Sequence, residues 1–221
     1  MPRLPRNTFA DFTYHVYNRG IGLAEVFHEP ADYAALINLI ASSSEQIPMR
    51  VLGYCLMPDH YHMVLQPYED RDLSRWVHRL MTGYLRYYRQ KHGVVGNLWN
   101  ARFKSFPCQH DRHLRTVIRY CETNPIRAGL VERAEKWKYG SLYATANQKG
   151  PVAIEPGPIR RGKAWVELAN EPMKERDLGL MRHSLRRGTP FGDSEWMIQT
   201  ARIHGTEATL KPIGRPRKSE I

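Results

Sequence analysis

The first 145 residues alternate between strand-like and helix-like hydrophobic patterns, and the order of this alternation limits the fold more than any other feature of the chain. Residues 12–17 are rich in aromatic and β-branched side chains and end close to Gly20, which is typical of a strand followed by a turn. Apolar side chains then recur at three- and four-residue intervals over 30–45. This spacing predicts an amphipathic helix that begins at Pro30.

The alternation continues after Pro48 with a hairpin and two further helices. The predicted elements are strands over 49–57 and 60–66, a helix over 72–92, a strand over 98–108 and a helix from Asp111 to about Asn124. Each junction has a local signal. Pro58 and Asp59 form a tight turn, Gly93 stops the second helix, and Pro125 ends or kinks the third.

The resulting order, βαββαβα, is that of the split βαβ arrangement. We therefore predict an α+β fold, built on a ferredoxin-like antiparallel sheet (βαββαβ) with helices on one face. Residues 144–162 are rich in Pro and Gly and poor in apolar side chains, which indicates an extended linker. A short helix over 194–204 and a basic tail follow. We accordingly divide the chain into a domain of residues 1–145 and an extended C-terminal appendage of residues 146–221.

Composition argues against a membrane or secreted protein. The mean hydropathy is −0.57, and no window approaches the ~18 uninterrupted apolar residues that a membrane span requires. The N-terminal residues carry charge and proline without an apolar run behind them, so we expect no secretory signal. The three cysteines, Cys55, Cys108 and Cys121, are far apart and form no CxxC pair. A cytoplasmic location is the expectation that fits these observations.

The charge of the chain is positive and unevenly distributed. Lys and Arg number 33 against 22 Asp and Glu, a net charge of +11, and residues 71–140 alone carry 15 basic and 5 acidic side chains. Such a stretch attracts a polyanion, although a solvated basic face is the plain alternative. Aromatic residues among the same arginines favour DNA or RNA, because rings stack on unpaired bases while cations track phosphates. The candidate DNA-contacting residues are Arg19, Arg75, Arg79, Arg86, Arg102, Lys104, Arg112, Arg115, Arg119, Arg215 and Arg217.

Four residues are candidates for a metal-binding or catalytic role: two histidines on a predicted strand, and a tyrosine and an asparagine on a predicted helix. His60 and His62 are two residues apart in a predicted strand, so both imidazoles project from one face and can share a metal ion. Paired histidines on a sheet are more often structural, and a third ligand would strengthen the case. Tyr120 and Asn124 are four residues apart on the third predicted helix and share a face. Asn124 can offer an amide oxygen to a metal ion. Tyr120 either presents its phenol to the group that the metal ion holds or is an ordinary core tyrosine.

Three motifs in this order resemble those of the single-tyrosine HUH transposases, in which HUH denotes histidine, a hydrophobic residue and histidine. Within that superfamily the chain most resembles the REP-associated tyrosine transposases. The resemblance is carried by residues 14–20, 56–62 and 120–130, with looser support from 98–105 and 214–218. It covers about residues 10–145 well and the tail loosely.

The resemblance implies metal-dependent cleavage and joining of single-stranded DNA by the domain of residues 1–145, at palindromic repeats folded as hairpins. It implies His60, His62 and Asn124 as ligands of Mg²⁺ or Mn²⁺, with Tyr120 as the nucleophile that forms a 5′-phosphotyrosine. Glu122 is an acidic neighbour that could compete as the third ligand. No organic cofactor is implied, and a monomer or a dimer is compatible with the sequence.

Two other functions stay open from the sequence. A ferredoxin-like sheet with aromatic side chains can hold single-stranded DNA or RNA without cutting it. A metal hydrolase would use an activated water and would not need Tyr120. The basic tail around Arg215 and Arg217 resembles an AT-hook core, with an unstructured basic end as the alternative.

Overall fold

Four strands form one antiparallel sheet in the computed structural model, which describes residues 7–212. The strands are β1 (Thr13–Arg19), β2 (Met49–Met57), β3 (His60–Pro67) and β4 (Lys104–Cys108). Their order across the sheet is β2-β3-β1-β4, and each neighbouring pair is antiparallel. This is the ferredoxin-like arrangement predicted from the order of elements.

Eight α-helices surround the sheet within the described part of the chain. They are α1 (Pro30–Gln46), α2 (Asp72–His92), α3 (Arg112–Glu122), α4 (Asn124–Arg127), α5 (Ser141–Ala146), α6 (Lys163–Asn170), α7 (Glu175–Arg187) and α8 (Ser194–His204). Asp111 caps α3 through a hydrogen bond from the backbone N–H of His113, and the C-terminal cap of α2 is Gly93 in the left-handed conformation. The sequence predicts both ends of α2 and of α8, whereas the fourth strand begins at Lys104 and not at 98.

The helices cover both faces of the sheet, which corrects the prediction that they lie on one face. One core cluster joins α1 and α2 to side chains such as Val16 and Met63. Side chains of the other face, such as Val64 and Phe106, pack with α3 and with residues of α6 and α7. The reason is that the sheet contributes buried apolar side chains to a core cluster on each face, so each face must be covered.

The segment after residue 146 packs against the same sheet. Trp165, Leu178 and Met181 are buried in the cluster that contains α3, and a buried ion pair joins Glu122 on α3 to Arg161. The residues on either side of residue 145 share one hydrophobic core. The division at this residue therefore stays a prediction about which part of the chain holds the chemistry. Arg215 and Arg217 lie outside the described residues.

Candidate active site

His60 and His62 both lie on β3 with their rings 5.0 Å apart and nearly perpendicular. His62 pairs directly with Tyr17 of β1, and the Tyr17 ring stacks on the His62 ring at 5.0 Å. His62 is almost completely buried, whereas the His60 side chain is 16% exposed. The period of two along a strand thus brings the two imidazoles to one face, as the sequence predicts.

Both imidazoles are held through their Nδ1 atoms. Nδ1 of His60 lies 2.5 Å from a carboxylate oxygen of Asp59, and Nε of Arg19 donates to the other oxygen of that carboxylate at 2.7 Å. Nδ1 of His62 is 2.9 Å from Nε2 of His15. When Nδ1 of a histidine is engaged from behind in this way, Nε2 is the nitrogen left to bind a metal ion.

The surroundings of His62 favour neutral imidazole, and those of Asp59 favour ionised carboxylate. Burial, together with the neighbouring histidines, lowers the pKa of His62 well below its usual value, and burial lowers the pKa of His15 to about 3. Burial alone would raise the pKa of Asp59, but the hydrogen bonds from His60 and Arg19 outweigh it and lower this pKa to about 2. His62 is therefore uncharged near neutral pH, which is the form that ligates metals.

Helix α3 brings Tyr120 to the histidines. The Tyr120 ring stands edge-on to the His62 ring with 5.7 Å between centroids. The guanidinium of Arg127 lies 4.0 Å from the centre of the Tyr120 ring and donates a 2.6 Å hydrogen bond to the Tyr120 backbone carbonyl. Arg127, for which the sequence predicts no role, therefore holds the Tyr120 ring in place through these two contacts.

The helix is interrupted at Thr123, and α4 begins at Asn124 one residue before Pro125. Proline lacks the N–H that would continue the first helix, so the sequence correctly places the break here. Asn124 is buried, and its amide nitrogen has no hydrogen-bond partner among residues 7–212. An unpaired buried amide is costly unless a bound group satisfies the side chain.

One cavity of about 260 Å³ is lined by all four predicted site residues, His60, His62, Tyr120 and Asn124. Its lining also includes Tyr17, Arg19, Lys104, Leu185 and Arg186. The last two come from α7, a helix that the sequence analysis does not predict. Residues of the C-terminal segment thus complete the wall of this cavity.

Glu122 does not compete for this site. Its carboxylate is buried, pairs with Nε of Arg161 at 2.9 Å and accepts hydrogen bonds from Ser141 and Trp165 at 2.7 and 2.8 Å. The expectation that Glu122 could replace Asn124 as a ligand is wrong. Both oxygens of its carboxylate accept hydrogen bonds from Arg161, Ser141 or Trp165, and Glu122 does not line the cavity.

A second group of metal-type ligands lies at the start of α3. Asp111, His113 and Asp193 place their ligand atoms within 4.8 Å of one another. These atoms have protein partners: Asp111 caps α3 and contacts the His113 ring, and Arg112 pairs with Asp193 at 2.7 Å. These contacts explain the cluster as a helix cap joined to the segment before α8.

The predicted DNA-contacting residues occupy three places. Arg19 and Lys104 line the site cavity. Arg75, Arg79 and Arg86 are exposed on α2, and Arg102 is exposed beside them in the approach to β4. Arg112, Arg115 and Arg119 are on α3, where Arg119 is half-buried and donates a 2.6 Å hydrogen bond to the carbonyl of Glu171. Arg119 thus has a structural partner in the C-terminal segment.

Three further residues of the site were not predicted from the sequence: Asp59, His15 and Arg186. Asp59 had a signal, because a carboxylate directly precedes His60 at a turn. His15 had none, since its contact with His62 depends on the register between β1 and β3. Arg186 reaches the cavity only because α7 packs against the sheet.

The ferredoxin-like sheet carries the paired histidines on an inner strand and the tyrosine faces them from α3, which is the arrangement expected of a single-tyrosine transposase. The model of the family described as "Transposase IS200 like" matches residues 8–124. The chain belongs to this family.

The chain is also similar to two REP-associated tyrosine transposases. A Haemophilus influenzae (strain ATCC 51907 / DSM 11121 / KW20 / Rd) protein named "Putative REP-associated tyrosine transposase" is 28% identical over 110 residues. The match covers 45% of this chain and 62% of that relative. A solved structure of a REP-associated tyrosine transposase bound to a REP hairpin has a TM-score of 0.55 at 17% identity, covering 67% of this chain and 87% of that one. The second likeness shows a shared fold.

Proposed function

We propose that this protein cleaves and rejoins single-stranded DNA beside hairpins through a covalent bond to Tyr120. The Tyr120 hydroxyl gives its proton to solvent and attacks a phosphodiester phosphorus, the bond from phosphorus to the 3′-oxygen breaks, and that oxygen takes a proton from solvent and leaves as a 3′-hydroxyl. The DNA is left joined to the protein as a 5′-phosphotyrosine. A second 3′-hydroxyl reverses the reaction without an external energy source, because the phosphotyrosine retains the bond energy.

The observation that carries this proposal is the shared cavity. Tyr120 and both imidazoles line it, and each imidazole is held by a hydrogen bond on Nδ1. A purely structural histidine pair has no need of a cavity with a phenol on its other wall. The fit of the surrounding cations supports a phosphate ligand, since Lys104 and Arg186 line the same space.

His60, His62 and Asn124 fit a divalent metal ion, for which Mg²⁺ and Mn²⁺ are the candidates. The engaged Nδ1 atoms of His60 and His62 leave Nε2 of each ring for an ion, and the amide oxygen of Asn124 is a third candidate ligand from the lining of the same cavity. The ion would supply Lewis-acid polarisation of a phosphodiester oxygen, at nearly full charge because all three ligands are neutral. The chain itself positions the reacting groups: Arg127 orients the Tyr120 ring, and Asp59 and His15 orient the imidazoles.

The substrate follows from the relatives and from the basic surfaces. A structural relative is a REP-associated transposase bound to a REP hairpin, and we infer that this chain also acts on palindromes folded as hairpins. Unpaired DNA beside the hairpin would let the scissile phosphate enter the cavity. We further propose that residues 1–145 hold the chemistry, that 146–221 complete the cavity wall, and that Arg215 and Arg217 add DNA affinity.

We expect the protein to work in the cytoplasm, as a monomer or a dimer, with no organic cofactor. No helix within residues 7–212 is long and apolar enough to cross a membrane.

An adduct assay tests the proposal. The protein is incubated with Mn²⁺ and end-labelled hairpin DNA from a panel of chromosomal palindromes, and covalent complexes are resolved on a denaturing gel. We expect an adduct with the natural chain, none with Tyr120→Phe, and none with His60→Ala combined with His62→Ala. Both variants should retain most of their salt-sensitive DNA affinity, which comes from the basic surfaces.

Each rival function gives a different result. Cleavage by Tyr120→Phe at the natural rate would show a hydrolase that uses water. Tight hairpin binding without cleavage by the natural chain would show a binding module. Loss of DNA affinity in the histidine variant, with the fold intact, would show that the imidazoles hold DNA and not a metal ion.

A further inference from the structure

A second cavity lies on the opposite face of the sheet from Tyr120, between α2 and the loop before β4. It measures about 470 Å³. Trp99 and Phe103 are buried in its wall, and Met81 and Leu85 of α2 are half-buried in its lining. None of the chemistry proposed above uses this cavity, and these four side chains are apolar or aromatic.

Cations surround the opening of this cavity. Arg71, Arg75 and Arg102 line it and are exposed, and none of the described residues that line it is acidic. Arg75 pairs with Asp72 at 2.7 Å, whereas no ion pair is found for Arg71 or Arg102 among residues 7–212. A cationic rim around an apolar floor matches a ligand that carries phosphates outside and a flat apolar ring inside.

The wall also carries a hydrogen-bond donor without a protein partner. The indole nitrogen of Trp99 is buried and makes no hydrogen bond among residues 7–212. Buried donors are nearly always satisfied in proteins, so one that is not points to a group that binds later. Nucleobases carry nitrogen and oxygen acceptors of the kind that such a donor lacks.

Residues that are neighbours in the sequence line the two cavities. Arg102 and Phe103 line the second cavity and Lys104 lines the site cavity. On β1, Asn18 lines the second cavity while its neighbour Tyr17 lines the first. Because successive side chains of a strand point to opposite faces, a DNA strand that passes around the β4 edge can reach both cavities.

We propose that the second cavity binds one unpaired nucleobase of the substrate strand, a few nucleotides from the scissile phosphate. This inference rests on the proposed function and adds a specificity site to it. The base lies against Trp99 and Phe103, and its flanking phosphates contact Arg71 and Arg102. The pocket thereby sets which phosphate reaches Tyr120.

Binding of abasic DNA to the full chain carrying Tyr120→Phe tests this inference without cleavage. The probe is the fluorescein-labelled hairpin of highest affinity in a panel, with unpaired flanks in which one base at a time is removed. We expect one flank position at which base removal weakens binding about 10-fold, the value typical of a lost base–aromatic stack. Equal affinities at every flank position would overturn the proposal.

Two pairs of variants locate the effect. Met81 and Leu85 of α2 form the floor of the cavity. The variant Met81→Ser with Leu85→Ser makes this floor polar, and we expect the variant protein to bind intact and abasic DNA with equal affinity. Ile37→Ser with Leu39→Ser removes similar half-buried apolar side chains on α1, away from the cavity, and should keep the difference. A folded floor variant that keeps the difference would overturn the proposal. So would a floor variant that dissociates a dimer and has no effect on DNA, because the cavity would then be a contact between copies.

A variant confined to exposed residues avoids any effect on folding. Arg71→Gln with Arg102→Gln should reduce the slope of log affinity against log salt by about 1.4, the value for two contacts to a single strand. An unchanged slope would overturn the rim contacts. Adduct formation without a base-sensitive position would refute the pocket alone, and a base-sensitive position without an adduct would refute the Tyr120 reaction alone.

Discussion

Replacing Arg161 by Met tests whether the C-terminal segment is an integral part of the fold. The Arg161 side chain is 5% exposed and that of Glu122 is fully buried. The guanidinium also donates to the backbone carbonyl of Leu52 on β2. Removing it leaves an unpaired carboxylate and an unpaired carbonyl in the core, although Ser141 and Trp165 still donate to Glu122.

The expected cost is large for a single substitution. Breaking a buried ion pair from one side costs about 3–5 kcal/mol, against a total free energy of unfolding of about 5–15 kcal/mol for a typical domain. At about 2–4 °C per kcal/mol for a chain of this size, the melting temperature should fall by roughly 6–20 °C. Urea unfolding followed by tryptophan fluorescence measures the free energy, and calorimetry measures the melting temperature.

Two further variants make the result decisive. Arg160→Met removes an exposed neighbouring charge and should change stability by less than about 0.5 kcal/mol. Glu122→Gln combined with Arg161→Met removes both charges and should be less damaging than Arg161→Met alone. A loss below about 1 kcal/mol for Arg161→Met would refute the reasoning, because the segment would then not bury this pair.

Two more predictions concern pH and metal binding. Asp32 is buried, and hydrogen bonds from the His28 backbone, His92, Lys91 and Tyr87 outweigh burial and hold its pKa below the usual value. The contribution of the Asp32 carboxylate to stability is therefore present above the pKa of an unfolded aspartate and is lost as the pH falls below that value. Asp32→Asn should reduce the free energy of unfolding by about 2 kcal/mol at pH 7 and by less in acid. Urea unfolding measures both values. A cost independent of pH would contradict this sign. His15→Phe removes the hydrogen bond to His62 and should weaken Mn²⁺ binding about 10–100-fold by calorimetry, whereas His113→Phe should leave it unchanged. Equal Mn²⁺ affinity in the two variants would contradict the positioning role of His15.

Local sequence patterns predicted the strands and helices whose apolar side chains recur at a regular spacing. The bounds of β2 and α2 follow from strong periodicity and from breakers at both ends, and the structure confirms them. Helices α6 and α7 were missed because they follow a stretch rich in Pro and Gly. Their helical state depends on burying Trp165 and Met181 against the sheet, which is a tertiary effect.

The amino-acid sequence alone determined that His60 and His62 share a face, since the strand period is a local property. Tyr120 and Asn124 line one cavity as expected, although they lie on two helices, α3 and α4, and not on one. Tertiary structure alone decided what stands opposite them. The register of β1 against β3 brought His15 behind His62, and the packing of α7 brought Arg186 to the cavity. Register and helix packing depend on contacts between residues far apart in the chain, and a local pattern contains no information about those contacts.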